Sequence, residues 1–207
     1  MKIAYLIRHS EPLKEVKLNY TEKISNQEQN EKIPLSSNGE ILAKEIFKEK
    51  LSGKIDELWS SSYIRAISTA KYISEYNNNI PMNISKYFNE RKLGNTQNIK
   101  DEFWLEQLYD ENIKIGETES RKEVADRMLL GINKILDSKN NNIAIVTHAT
   151  AITFFLMKFC TLKNTELEGK KRWLLFNNKT IINDKIKTPD IFKLTFLNKK
   201  LINIERI

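Results

Sequence analysis

The chain has 207 residues but only one cysteine, Cys160, and two histidines, His9 and His148. A lone cysteine excludes an intramolecular disulfide and any cysteine-built zinc cluster, and it fits a reducing compartment. The two histidines are far apart, and no Asp/Glu cluster supplies a cage for a hard cation, so neither a metal nor another cofactor is expected. No stretch reaches the run of about 20 apolar residues that crosses a bilayer. The longest apolar window, 149–162, is broken by Thr150, Thr153 and Lys158. No membrane association is expected. Met1 to Ile7 leads straight into Arg8-His9 without a small-residue cleavage site, so it does not read as a signal peptide, and the expected location is the cytoplasm.

What is present suits a soluble globular domain. Hydrophobic residues make up 40% and charged residues 29%, and no repeat or hinge-like linker interrupts the chain, so 1–207 reads as a single domain. Lys and Arg exceed Asp and Glu by 34 to 27, a net charge of +7. The lysines are scattered rather than gathered into a stripe. The reading is a solvated basic surface that welcomes a small anionic substrate, with no nucleic acid expected as partner.

Hydrophobic periodicity places the elements. Lys2 to Ile7 is a buried strand, and 11–34 is a long loop ending at Pro34. A helix starts at Ser37, carries Ile41, Leu42, Ile46 and Leu51 at helical spacing, and stops at Gly53. Asp56 to Ser60 is a second strand, followed by a helix from Tyr63 to Tyr76. Residues 80–116 are irregular apart from a helix over 101–109. Glu117 to Leu136 is a strong amphipathic helix, Ile143 to Thr147 a third strand and Ala149 to Phe159 a buried helix. The tail then changes to strand-like runs at 173–176, 180–182, 191–197 and 201–204. The last two are joined by a tight hairpin at Asn198-Lys199-Lys200. This order predicts an α/β fold: a mostly parallel central sheet with helices on both faces and antiparallel strands added at the C-terminus. The strand-rich tail could also pair with a second copy of the chain, which leaves a homodimer open.

The chemistry gathers at strand ends. Arg8 and His9 end the first strand, Ser60-Ser61-Ser62 ends the second with Arg65 one turn later, and His148 follows the third. Ligands of open α/β sheets bind beyond the carboxyl ends of the strands. Two guanidiniums near a helix N-terminus suit the oxygens of a phosphate.

The same residues carry a family resemblance. Leu6-Ile7-Arg8-His9-Ser10-Glu11 resembles the signature of the histidine phosphatase superfamily, the phosphoglycerate mutase-like proteins. In order there follow Pro34-Leu35-Ser36-Ser37-Asn38-Gly39-Glu40, Trp59 to Ala70 with Arg65 at its centre, and Phe88-Asn89-Glu90-Arg91-Lys92-Leu93-Gly94. Gly116-Glu117-Thr118 with Val124 and Arg127 comes next, then Ile145-Val146-Thr147-His148-Ala149. Each is similar to a family segment at compatible spacing, and together they span essentially residues 2–160.

The resemblance implies a metal-independent phosphomonoester hydrolase acting through a phosphohistidine on His9, with a small-molecule phosphate monoester as substrate. His9 would attack phosphorus as a neutral imidazole. Arg8, Arg65 and His148 would hold the phosphoryl oxygens. Glu90 would protonate the leaving alkoxide. Ser10 and Ala149 stand where the family usually has glycine. Either could still contact the phosphate, Ala149 through its backbone N–H. Pro12 and Glu15 replace polar contacts found in the glycolytic mutases, and 105–115 lacks their paired arginines. This favours a phosphatase. Phosphoglycerate mutase and a non-catalytic phosphate- or phosphoprotein-binding module remain the alternatives. Residues 11–34 and 80–116 are expected to frame the substrate, with Phe103, Trp104 and Tyr109 as an apolar wall. Cys160 is expected to pack rather than react.

Overall fold

The computed structural model describes residues 1–14, 25–94, 99–166 and 171–207. Its central sheet has six strands. Four are parallel: β1 (Lys2–Arg8), β2 (Glu57–Ser60), β3 (Met82–Ile84) and β4 (Asn142–Thr147). Two from the tail, β8 (Asp190–Leu197) and β9 (Lys200–Arg206), add antiparallel, giving the order β3-β2-β4-β1-β8-β9. Between β4 and β8 the chain forms a separate antiparallel sheet of β5 (Thr161–Glu166), β6 (Lys171–Phe176) and β7 (Lys179–Ile182). The tail therefore divides between two sheets, although its strands read alike in sequence. Which strand a segment joins depends on partners distant in the chain, and local propensity does not specify them.

Helices cover both faces of the central sheet, as expected. Of the helices α1 (Asn26–Lys32), α2 (Ser37–Lys50), α3 (Ile64–Glu75), α4 (Asp101–Tyr109), α5 (Arg121–Ile135) and α6 (Ala149–Leu156), α2 and α3 pack on one face and α5 and α6 on the other. Side chains alternate along a strand, so β1 and β4 feed two cores. Ala4, Leu6, Ile143 and Ile145 pack toward α5 and α6 with Val124, Met128, Ile152 and Phe155. Tyr5, Ile7, Ala144 and Val146 pack the other way, toward α2 and α3 with Phe47, Ala66, Ala70 and Ile73. A fully buried side chain of this size contributes about 1.5–3 kcal/mol. The strands that carry the strand-end residues are thus anchored from both sides.

Local chemistry explains most boundaries. Ser36 caps α2 by accepting from the Gly39 N–H, and a capping box of Ser120 with Glu123 starts α5 four residues later than its apolar stripe suggests. Gly39 has no room for a side chain, since an added Cβ would lie 2.1 Å from the Glu11 carbonyl oxygen. The segment after β1 can therefore lie against the start of α2. There the Leu13 N–H donates to the Pro34 oxygen (2.9 Å) and the Ser36 N–H to the Glu11 oxygen (3.0 Å). Asn198 and Lys199 both take positive φ in the β8–β9 turn, as do Asn177 and Asn178 between β6 and β7. Paired left-handed residues make the hairpin turn that matches strand twist.

Three elements lie outside the sequence expectation: α1, β3 and β5, the last placed where no strand-like run was read. The segment 11–34 holds α1, capped by a Ser25–Glu28 capping box. That helix buries no residue, so no apolar stripe announced it. Strand β3 is only three residues long and mostly exposed, which leaves too little pattern to detect.

Candidate active site

Strands β1, β2 and β4 run parallel, so their C-terminal ends open on one side. The register pairs Arg8 with Thr147, and the next residues, His9 and His148, leave the sheet side by side. The His9 N–H continues the ladder to the Thr147 oxygen at 2.9 Å. The ring centroids are 5.0 Å apart, inclined at 62°.

Arg65, in the first turn of α3 and only 5% exposed, links the two imidazoles. Its Nε donates to His9 Nε2 at 3.1 Å, and its NH2 group approaches His148 Nδ1 at 3.4 Å. Its NH1 group donates to the Asn30 carbonyl oxygen. His9 Nδ1 lies 2.7 Å from the Ser10 carbonyl oxygen, which can only accept. Nδ1 therefore carries the hydrogen, and Nε2 is left with its lone pair toward Arg65. Burial pushes the His9 pKa down to about 3; Arg65 and Arg8 push the same way and the Ser10 carbonyl opposes them. Burial also drives His148 well below its ordinary range, helped by His9, Arg65, Arg127 and Arg8. Both rings are thus neutral at ordinary pH, as a nitrogen nucleophile must be.

Arg8, at the end of β1, turns its NH1 group to the carbonyl oxygens of Ile186 and Lys187. Its Nε is buried without a hydrogen-bond partner among the described residues. Such a group is costly unless an acceptor arrives, and an anion in the adjacent cleft would supply one.

Arg8, His9, Arg65 and Glu90 all line one cleft of about 440 Å³. Pro12, Leu13, Lys14, Asn30 and Ile33 close one part of its wall; Arg91, Leu93 and Thr150 close another. The Glu90 carboxylate sits at the N-terminus of α6, accepting from the N–H groups of Thr150 (3.3 Å) and Ala151 (3.1 Å) and from Arg91 N–H (2.8 Å). Its main chain is braced by Arg127, which donates to the carbonyls of Tyr87 (2.9 Å) and Glu90 (3.1 Å) and pairs with Glu119 (2.7 Å). Gly131 of α5 permits the same bracing, because a Cβ there would lie 2.7 Å from Tyr87 Cβ.

The structure thus brings Arg8, His9, Arg65 and Glu90 to the cleft and sets His148 behind Arg65, fully buried. Ser10 is elsewhere. Its hydroxyl donates to the Gly39 carbonyl oxygen (2.6 Å) and its N–H to Thr69 Oγ1 (2.9 Å), so both groups are engaged inside the fold. Ala149 opens α6, but Thr150 is the residue of that turn on the cleft wall. The expected aromatic wall is corrected: Phe103 is buried, Trp104 stacks on Arg91 at 4.1 Å, and Tyr109 is 62% exposed beside a different cavity. The apolar lining comes instead from Pro12, Leu13, Ile33 and Leu93. Glu15 lies outside the described residues. Cys160 packs against the core, its thiol pushed up to about 12 by burial.

Sequence reasoning missed Asn30, because α1 carries no apolar stripe, though Ser25 and Glu28 at capping-box spacing were there to be seen. It also missed the tie from Asn89 to Ser61 (3.1 Å) and from Ser61 to His148 Nε2 (2.8 Å). Among the described residues, no three His, Cys, Asp or Glu side chains are grouped to hold a metal ion, and no helix is long and apolar enough to cross a membrane.

A family model described as the histidine phosphatase superfamily (branch 1) matches residues 4–179. No curated protein matches the chain. Among solved structures, a mycobacterial glucosyl-3-phosphoglycerate phosphatase in complex with inorganic phosphate superposes with a TM-score of 0.67 at 16% identity, covering 100% of this chain and 96% of that one. A mutant phosphoserine phosphatase from Entamoeba histolytica in complex with phosphoserine gives a TM-score of 0.60 at 17% identity, over 99% and 97% of the two chains. The Bacillus stearothermophilus protein YhfR gives 0.64 at 16%, over 98% and 95%. At these identities the likenesses establish the fold.

Proposed function

The chain belongs to the histidine phosphatase superfamily, and from that premise we propose that it hydrolyses small phosphate monoesters, without a metal, through a phosphohistidine on His9. The observation that carries this reading is the state of His9 Nε2: buried, bare of hydrogen, and held by Arg65 at the mouth of a cleft that Arg8 and Glu90 also line. A lone pair so placed attacks phosphorus directly, and no separate base is needed.

Phosphoryl transfer asks chiefly for positioning and charge stabilisation. Arg65 and the unpartnered Nε of Arg8 supply cationic donors for the phosphoryl oxygens, with neutral His148 set behind Arg65. Glu90 delivers a proton to the departing alkoxide, then takes one from the water that cleaves the phosphohistidine. The neighbouring structures bear the names of phosphatases, which supports hydrolysis. The segments about 11–34 and 80–116 choose the substrate. Their described cleft residues mix Lys14 and Arg91 with apolar Leu13, Ile33 and Leu93, which suits a phosphate ester with a partly polar leaving group. One domain over 1–207, working in the cytoplasm, completes the reading.

The test is a rapid acid-free quench after mixing with labelled phosphomonoester. Acid-labile label should appear on the protein and be absent from His9→Ala, together with turnover. Unchanged turnover in that variant overturns the reading.

A further inference from the structure

The hydrogen bonds behind His148 have a direction that the proposed chemistry has not yet used. The Ser62 N–H donates to Asn89 Oδ1 at 2.9 Å, which identifies that atom as the oxygen of the side-chain amide. The hydroxyls of Ser61 (3.1 Å) and Ser62 (3.0 Å) reach the same oxygen, so both donate to it. With its hydrogen committed there, Ser61 Oγ can only accept from His148 Nε2, 2.8 Å away. Nε2 of His148 therefore carries the hydrogen, and Nδ1 is a lone pair facing the NH2 group of Arg65. His9 is the reverse, with hydrogen on Nδ1 and the lone pair on Nε2. One edge of Arg65 thus spans two bare nitrogens on rings in opposite tautomers.

We propose that Asn89 is a positioning residue: through Ser61 it holds His148 as the Nε2–H tautomer, so that binding of a phosphoryl dianion adds one proton at His148 Nδ1. This rests on the reading of the cleft as a phosphoryl site. A dianion lodged against His9 Nε2 draws the Arg65 edge onto its own oxygens. His148 Nδ1 is then left with a lone pair facing anionic oxygen, a repulsion that a proton turns into a charge-assisted hydrogen bond. Dianion, neutral imidazole and one proton from solvent become an imidazolium–dianion complex, and no electrons are exchanged. In the empty site, burial and the surrounding cations oppose that proton. The groups around His148 are Arg65 and the Tyr63 ring at the start of α3, Arg8 and neutral His9 at the end of β1, and Arg127 of α5, while Glu90 is bound to the first turn of the helix that His148 precedes. Two negative charges from the ligand offset the cations, while the Asn89–Ser61 chain already accepts the other N–H and keeps Nδ1 as the site of uptake.

With only two histidines in the chain, ring-¹⁵N labelling gives four signals. Without ligand at neutral pH, one nitrogen of each ring should be protonated, His9 at Nδ1 and His148 at Nε2. Saturation with inorganic phosphate should protonate a third, His148 Nδ1. Affinity for the dianion should then strengthen by up to about tenfold per unit fall in pH while the dianion persists. In Asn89→Leu the freed Ser61 hydroxyl donates to Nε2, His148 changes to the Nδ1–H tautomer, and the pH dependence of phosphate affinity flattens. Asn89→Asp keeps an acceptor and should restore both signatures. The inference is overturned by an Nδ1–H tautomer at His148 in the unaltered protein, by an unchanged tautomer in Asn89→Leu, or by phosphate binding without a third protonated nitrogen. Failure of phosphate to bind also overturns it. Turnover is scored separately with His9→Ala. Activity that survives this substitution sinks the hydrolase reading and leaves the resting tautomers as measured, whereas His9-dependent activity with other tautomers sinks only this inference.

Discussion

Acid should unfold this protein through its histidines before its carboxylates. In the folded chain His9 resists protonation down to about pH 3, while in the unfolded chain it titrates near 6.5. Between those values the unfolded state binds more protons, so stability is complete above about 6.5 and falls as pH is lowered. For one such group the loss between about pH 8 and pH 5 is roughly 2 kcal/mol, from the logarithm of the extra unfolded-state binding at about 1.4 kcal/mol per pH unit. The pKa of His148 is shifted in the same direction by burial, so it deepens the loss. Against a typical stability of about 5–15 kcal/mol that is a large share. The measurement is urea unfolding followed by fluorescence of the three tryptophans at the two pH values, without phosphate. His9→Asn should shrink the difference between the two pH values by about 2 kcal/mol. If His9→Asn loses as much stability on acidification as the unaltered protein, His9 is not the buried neutral base described above.

Glu90→Gln should lower kcat by about a hundredfold or more for alkyl phosphates, yet by far less for an aryl ester whose leaving group needs no proton, as a leaving-group series would read. Arg127→Met should remove the donors to the Tyr87 and Glu90 carbonyls and the Glu119 pair, costing about 2 kcal/mol in a denaturant melt and lowering kcat as the acid loop loosens. Gly39→Ala should force the start of α2 away from the Glu11 carbonyl and cost about 1–3 kcal/mol in a thermal melt, since the added carbon begins 2.1 Å from that oxygen. An unchanged melting temperature in Gly39→Ala would mean the two segments separate freely.

The parallel half of the fold was legible because it is written in local terms. Strands β1 and β4 are unbroken apolar runs, and α2 and α3 carry apolar residues at helical spacing beside clear stops. The polar residues that end those strands could be placed near one another from sheet geometry alone, and the structure sets Arg8, His9, Arg65 and Glu90 around one cleft. Other features depend on partners the sequence does not name. Ser10 could as well have faced a ligand; the close approach of Gly39 is what draws its hydroxyl inward. Trp104 reads as a wall residue until Arg91, fixed by Gln107 at 2.7 Å, is seen stacked on it. The helix α1 escaped because its stability rests on its cap and on contacts such as Gln27 to the Tyr63 hydroxyl at 2.6 Å, not on an apolar stripe.

The two imidazoles emerge side by side from the ends of neighbouring strands, which main-chain hydrogen bonds hold about 4.8 Å apart. Main-chain pairing thus sets the two residues beside each other, and the Ser10 carbonyl and Arg65 then fix how the rings sit. Exchanging the loops around the cleft would leave this pair of imidazoles in gauge. Slipping β1 by one residue against β4 would destroy the pair at a stroke, with every catalytic side chain still present.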